Sequence, residues 1–522
     1  MSAIDFNGLS REKIMGLYDF TFYDVIQRNA ECFSQRTAWY DADDERVLSF
    51  GDYRFQVDRL AAGLRRVGLG KGDRIAVLGK NRLEFFLVYG AAAALGAIVL
   101  PLNWRLSAEE IVFILNDADP LILLVDSEFQ PVIQGQEKRL SNIRHIFSLE
   151  PDCGRPEDFK SLLADAATFS PESVATDDGW VIIYTAAVAG RPRGALLSHG
   201  NLMAVNLQLN YCFSLTENDV HLNLLPLFHV AGLFMATASF HAGALNANLS
   251  KFEAGKAADL IARKKVTFFF DFAPILDLIL DQHEQNGAEL SSLKSVMGIE
   301  APKTIERYQT LTGGTFYCMY GQSETSCLAS MGRYNDRPGS AGRVIPLARV
   351  RLLDDQDQPV PVGQVGEIGV KGPMVFKGYW NLPEDNAHTF RNDWHHTGDL
   401  GRFDEQGFLW YAGRKPEKEL IKPGGENVYP GEVEKIILMH PAVEKTVVFG
   451  VPDPKWKEGI KAVCQLKVGT VLAAAELMEF VGQRIARYKK PQYVEFVPEL
   501  PLTADGSIDR NKVKSLYGGE QV

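Results

Sequence analysis

The chain has 522 residues, enough at about 150 residues per domain for roughly three folding units, or for one large domain with a small partner. Its 66 acidic and 55 basic residues leave a net charge of −11, and 46% hydrophobic with 23% charged residues is the mixture of a globular protein with a large core. That balance excludes disordered, collagen-like and coiled-coil chains, and argues against a dedicated nucleic-acid binder, which carries a basic patch.

The first residues, MSAIDFNGLSREKIM, lack the basic-then-apolar layout of a secretory leader. The cysteines, Cys32, Cys153, Cys212, Cys318, Cys327 and Cys464, include no C-x-x-C pair. Reduced thiols in a cytoplasmic protein are the expectation. Arg74–Gly79 reads as a buried strand. Phe85 to Trp104 carries no charge and is nominally long enough to cross a bilayer. Four consecutive alanines, Gly90, Gly96 and Pro101 break it, however, into a buried helix running into a strand over Ala97–Leu102. No stable membrane insertion is expected.

Ser107 is placed to cap an amphipathic helix over Ala108–Asp119, and Leu121–Asp126 and Trp180–Thr185 are further buried strands. A small-residue loop follows, with Gly190, Pro192, Arg193 and Gly194, and then an expected helix start. Such a loop can fold backbone N–H groups round a phosphate, with the helix dipole behind it. The uncharged run Leu222–Ser250, containing Pro226, His229 and His241, reads as core and pocket wall. The strand Thr315–Met319 leads into Tyr320-Gly-Gln-Ser-Glu324-Thr, where Gly321 permits a tight turn and Glu324 offers a carboxylate to a divalent cation.

From about Arg349 short strands punctuated by Gly and Pro (Val350–Asp355, Gly366–Pro373, Phe408–Arg414) indicate a β-rich subdomain. In Trp394-His-His-Thr-Gly-Asp399 the aspartate can accept from ribose hydroxyls, and Arg414 after Gly413 can reach ribose or phosphate. His395 and His396 are adjacent, so they point apart and do not make a metal pair. A charged, Gly/Pro-containing segment after Arg414 marks a domain boundary. The predicted architecture is α/β: an N-terminal domain over 1–413 of parallel and mixed sheets with helices, including the β-rich part at 349–413, and a small α+β cap over 414–522. In the cap, strands are expected at Glu444–Val451, Lys461–Val468 and Tyr493–Leu500, and helices at Gly431–His440 and Ala474–Arg487.

The order and spacing of these fragments, from about Thr21 to Lys514, resemble the adenylate-forming superfamily of acyl- and aryl-CoA synthetases, luciferases and peptide-synthetase adenylation domains. The motifs are Leu48–Tyr53, Lys71–Arg74, Tyr184-Thr185 with Gly190–Gly194, Leu225–His229, Tyr320–Glu324, Gly366–Ile368, Thr397–Asp399, Gly413-Arg414, Gly425–Pro430 and Leu500-Pro501 through Arg510. The resemblance implies an AMP-forming ligase using ATP, Mg²⁺ and coenzyme A. A hydrophobic carboxylic acid attacks the α-phosphate to give an acyl-adenylate, and a thiol then displaces AMP.

Carried over to this chain, the resemblance puts Thr185, Gly190, Arg193 and Gly194 in the phosphate loop and Ala301 and Pro302 against adenine. Tyr320, Gly321 and Gln322 close over adenine and acyl group, and Ser323 stands where a threonine is usual. Glu324 would hold Mg²⁺, Asp399 the ribose, and Arg414 the ribose or phosphate. Phe228, His229, Gly232 and Gly298 match the acyl-pocket wall, with Val230, Phe234 and Glu300 nearby. The cap is expected to turn about a hinge near Glu419, with two extra residues in Lys415–Lys418, bringing Lys422, Gly424, Gly425 and Glu426 to the CoA arm. The partners implied are a small-molecule acid, ATP and CoA, without nucleic acid; a homodimer is compatible with the sequence.

Two departures from the pattern stand out. The phosphate loop usually reads serine-glycine-threonine-threonine-glycine but here is Ala186-Ala187-Val188-Ala189-Gly190, without three hydroxyls whose bonds to a charged group are worth about 1.5–3 kcal/mol each. Arg193, in place of a lysine, keeps the charge and adds bidentate geometry. Ser507 occupies the position of a lysine that contacts carboxylate and α-phosphate during adenylation, and a neutral serine supplies no cation. Adenylation is then expected to be slow or served by another cation, such as Lys489 or Lys512, while thioester formation survives. The alternative is a ligase scaffold impaired in adenylation, working in the thioester half-reaction, in reverse, or as a ligand-binding protein.

Overall fold

The computed structural model describes residues 17–140, 142–151, 157–163, 169–188, 191–415, 419–423, 426–454, 456–503 and 508–518, with backbone alone at 186–188 and 191. Helices begin where the sequence offers a cap. Ser49 and Ser107 open the helices Phe50–Arg66 and Ala108–Ala118 through capping boxes: the serine oxygen accepts from the third helical N–H, and the Asp52 or Glu110 carboxylate accepts from the serine N–H. The Leu83–Leu95 helix, apolar on every face beyond Glu84, is buried along its whole length and ends at Gly96, whose φ of 65° a side chain would strain. It packs inside the largest core cluster, and among the described residues no helix is long and apolar enough to cross a membrane.

Among the described residues two large sheets carry the N-terminal part. The first has seven strands, in the order Gly378–Tyr379, Arg191–Ser198, Gly179–Val188, Ile98–Leu102, Arg74–Leu78, Ile122–Val125, His145–Ser148. The second has nine, with Phe268–Phe272, Ser295–Ile299 and Thr315–Tyr320 adjacent and parallel at its centre. Parallel pairing brings the ends Phe272, Ile299 and Tyr320 to one edge, where open α/β sheets bind ligands. A five-stranded sheet follows, in which Gly366–Lys371 and Leu409–Arg414 flank Trp394–Phe403. Val443–Asp453, Lys457–Leu466 and Tyr493–Val497 form a separate three-stranded sheet with its own core around Val433, Ile460 and Leu477.

Two sequence expectations are corrected. The segment after the phosphate loop is a strand, Arg191–Ser198, paired antiparallel with Gly179–Val188. The next helix starts at His199, at the end of the hairpin away from Val188 and Arg191, so it is not the helix start expected directly behind the loop. The helix expected over Ala474–Arg487 ends at Gly482, the poorest helix former in the run, and the chain then turns through Arg487–Lys489.

Candidate active site

Hairpin register places the first group. Thr185 lies opposite Arg193, and the Thr185 hydroxyl donates to the Arg193 carbonyl at 3.3 Å. The Arg193 guanidinium stacks over the Tyr379 ring, 4.0 Å from its centroid, and pairs with Asp385 at 2.7 Å. The Tyr379 hydroxyl donates to Glu324 Oε1 at 2.8 Å. Tyr379 therefore joins the loop cation to the buried carboxylate. Tyr379 is brought there by a two-residue strand that adds to the sheet edge opposite Ala195.

A second hairpin supplies the next group. Asp399 and Arg414 are register partners in Trp394–Phe403 and Leu409–Arg414, and their side chains pair at 3.0 Å. Asp399 Oδ2 also accepts from the Tyr320 hydroxyl at 2.9 Å and the Gln322 amide at 2.5 Å. Gly321 makes the turn between them possible, because a Cβ there would lie 1.9 Å from the Cys327 carbonyl oxygen. Burial and then the Asp399 charge push the Tyr320 phenol well above its ordinary range, so it stays a donor. Ala301 caps the Pro302–Thr312 helix beside Ile299.

These groups open on a cavity of about 140 Å³ lined by Thr185, Arg193, His229, Phe270, Phe272, Met319, Glu324 and Arg414, among others. A neighbouring cavity of about 220 Å³ shares Thr185, His229, Phe272, Ser323 and Asn427 with it and is also lined by Phe228, Glu426 and Lys489. His229 caps the Val230–Ala242 helix, its Nδ1 accepting the Ala231 N–H at 3.2 Å, which leaves the proton on Nε2. Burial, then Lys422 and Arg105, lower its pKa to about 4, so the ring is neutral near pH 7. Gly232 and Gly298 do not line either cavity. Gly232 lies behind the wall, where a Cβ would meet the Pro226 carbonyl at 2.3 Å, and Gly298 packs on the Asp271 backbone.

Lys422 lines the smaller of these cavities and a third one, of about 770 Å³, together with Arg414, Glu419, Thr503 and Ile508. Glu419 pairs with Arg510 at 3.5 Å and with Lys514. Gly190, Gly424, Gly425 and Ser507 lie outside the described residues. Leu502 and Ile508 form an isolated antiparallel bridge. Lys489, considered as a replacement cation, is 1% exposed and held by Glu110 and Glu432 at 2.6 and 2.8 Å. Lys512 lies on the exposed side of the Arg510–Tyr517 helix.

The carboxylate of Glu324 suits Mg²⁺, which takes one or two protein carboxylates and completes its shell with nucleotide phosphates and water. No cluster of three or more metal-ligating side chains occurs among the described residues. Sequence reasoning does not reach Tyr379, Phe270, Phe272 or Tyr429 as site residues. The aromatic run Phe268-Phe-Phe-Asp-Phe272 is the signal that could have found two of them.

Fold and site together define an enzyme that binds a nucleotide at strand ends beneath a small C-terminal unit. Residues 26–380 match the AMP-binding enzyme family and residues 432–507 match its C-terminal domain, and the chain belongs to this family. It is 34% identical to indoleacetate–CoA ligase of Aromatoleum aromaticum, over 90% of this chain and 94% of that one. It is 32% identical to a feruloyl-CoA synthase of Amycolatopsis, with the same coverage. Among solved structures, a Rhodopseudomonas palustris protein provisionally named a long-chain-fatty-acid CoA ligase is 44% identical, with TM-score 0.73, over 76% of this chain and all of that one. A double mutant of o-succinylbenzoate CoA synthetase from Bacillus subtilis, bound to a CoA product analogue, gives TM-score 0.83 at 28% identity, covering 97% of this chain and 100% of that one. ATP-bound MatB from R. palustris gives 0.70 at 30% identity, covering 96% and 99%.

Proposed function

We propose that the chain is an AMP-forming acid–CoA ligase whose acid carries an aromatic ring. The observation that carries this reading is one continuous wall. The cavity holding Thr185, Arg193, Glu324 and Arg414 runs on into Phe270, Phe272, Met319 and His229. Flat aromatic side chains reward a flat aromatic ligand with offset or edge contacts beyond simple burial. The indoleacetate and feruloyl ligases among its relatives support the same substrate class.

In the first step a carboxylate oxygen bonds to the α-phosphorus of ATP as the bond to pyrophosphate breaks. Arg193 and the Thr185 hydroxyl face the phosphates, where negative charge shifts during transfer. Asp399, oriented by Tyr320, Gln322 and Arg414, takes the ribose hydroxyls, and Ala301 with Pro302 flanks adenine. Glu324 would hold Mg²⁺, which would supply positive charge to the phosphates. In the second step the CoA sulfur bonds to the acyl carbon and AMP leaves. Neutral His229 stands between the two cavities as the gate.

The domain division at 413/414 and a cap turning near Glu419 belong to the same reading. The division is supported by separate family matches over 26–380 and 432–507, one on each side of it. Glu426 and Asn427 on the active-site cavity fit the thiol-accepting arrangement. A cytoplasmic location fits the five free cysteines among the described residues.

The test is turnover of indoleacetate, ferulate, phenylacetate, octanoate and palmitate with Mg-ATP and CoA, following AMP and thioester. Aromatic acids are expected to exceed aliphatic ones in kcat/KM by about tenfold or more. Preference for palmitate overturns the aromatic reading, and no AMP with any acid overturns the ligase.

A further inference from the structure

Two helix N-termini, one from each part of the chain, meet at a single lysine. Glu110 is the third residue of the Ala108–Ala118 helix and Glu432 the third residue of Pro430–Leu438. Each sits in a capping box that accepts the N–H of its own cap residue, Ser107 or Tyr429. The remaining oxygens converge on Lys489 Nζ, at 2.6 Å from Glu110 and 2.8 Å from Glu432. Glu110 Oε2 also accepts the Ala486 N–H at 3.1 Å. Lys489 is 1% exposed, and Arg105 and Glu426 flank the contact, paired at 3.4 Å.

Charges balance here. Two helix N-termini contribute about half a positive charge each, and with one ammonium they match two carboxylates. Without Lys489 the carboxylates would face each other uncompensated, and without Glu110 the ammonium would keep only the partner from its own unit. The attraction within a buried pair is largely offset by the cost of desolvating its charges, so separating Glu110 into water while Lys489 keeps Glu432 costs little net, which suits a contact made in one arrangement and broken in another.

We propose that Lys489 is a positioning residue for thiol transfer: its bond to Glu110 holds the cap where Glu426 and Asn427 face the active-site cavity, and this bond opens when the cap turns to adenylate. The inference rests on the two-step ligase reading.

Glu110→Gln tests it, because glutamine at that position retains the capping box and removes only the ionic partner. Transfer from a supplied aryl-adenylate to CoA is expected to fall at least about tenfold in kcat/KM, the scale on which one charge-assisted bond shifts a two-state equilibrium. ATP–pyrophosphate exchange should stay level or rise. Hydrogen exchange at the Ala486 amide reads docking without any catalysis and should speed up by a similar factor. Lys489→Met combined with Glu110→Gln should cost no more than Lys489→Met alone. Unchanged transfer, unchanged Ala486 protection, or a parallel fall in both half-reactions overturns the proposal. A native enzyme that transfers no aryl group to CoA overturns the ligase reading instead, while Ala486 exchange still judges the contact.

Discussion

Asp399→Asn keeps the shape of a side chain that is 2% exposed and removes its charge. One carboxylate there collects Tyr320 at 2.9 Å, Gln322 at 2.5 Å and Arg414 at 3.0 Å. An asparagine has one accepting oxygen and one donating NH₂. Turned one way, the NH₂ confronts the Arg414 guanidinium; turned the other, it confronts the Gln322 amide. At least one bond to a charged group is lost in either orientation, worth about 1.5–3 kcal/mol. At about 1.4 kcal/mol per factor of ten this is about a 10- to 150-fold loss. The assay is ATP–pyrophosphate exchange with a fixed aryl acid, read as kcat/KM for ATP. The KM for the acid should move by less than about threefold, because the acyl wall is built from other residues. Exchange within about twofold of the native enzyme would show that the Asp399 network does not organise the nucleotide site, and would refute the argument.

Other substitutions probe the remaining parts of the site. Ser507→Lys puts back the lysine that the family resemblance expects at this position and should raise exchange by about tenfold or more; unchanged exchange would show that another group already fills the role. Phe272→Ala opens the wall shared by both cavities and should raise KM for aromatic acids by about tenfold, leaving KM for ATP in place; equal effects on both would mean a general loss of structure. Stability should also respond to acid. Burial holds His199 at about 3 and His221, His229 and His241 at about 4, all below the ordinary 6.5. Below pH 6.5 the unfolded chain binds protons that the native protein refuses, so stability is full above that pH and is lost as pH falls toward 4. Each histidine contributes up to about 1.4 kcal/mol per pH unit in that window. Asp41, raised to about 6 by burial, works in the opposite direction between 3.8 and 6 and offsets part of it. Urea midpoints at pH 7 should exceed those at pH 5, and a flat or reversed trend would contradict this account.

How much of the molecule is legible in its amino-acid sequence follows the range of the interactions involved. Local signals carry far: Ser107 and Glu110 three residues apart announce a capped helix, and it begins at Ala108. The strands at Arg74, Ile98 and Ile122 follow from short apolar runs. The sequence reads Asp399 and Arg414 each as a candidate nucleotide contact, but their pairing depends on a hairpin register with a shift between Leu400 and Gly401. Tyr379 cannot be found this way, since it reaches Arg193 and Glu324 only through a two-residue strand added to a distant sheet edge. The run Gly194-Ala-Leu-Leu-Ser198 suits helix or strand, and tertiary pairing with Gly179–Val188 decides for strand. Gly232 and Gly298 match the pocket wall by motif, whereas their missing side chains serve backbone packing. Lys489 is legible as a cation; that it joins two helix N-termini is not.

One cavity that adenylates an aromatic acid and then hands it to CoA must produce AMP and thioester in step. Both can be quantified together in a single reaction with indoleacetate, Mg-ATP and CoA. One AMP per aryl-CoA is expected, with no thioester when ATP is omitted. Thioester without AMP, or AMP without thioester at saturating CoA, would contradict the coupling of the two half-reactions in this site.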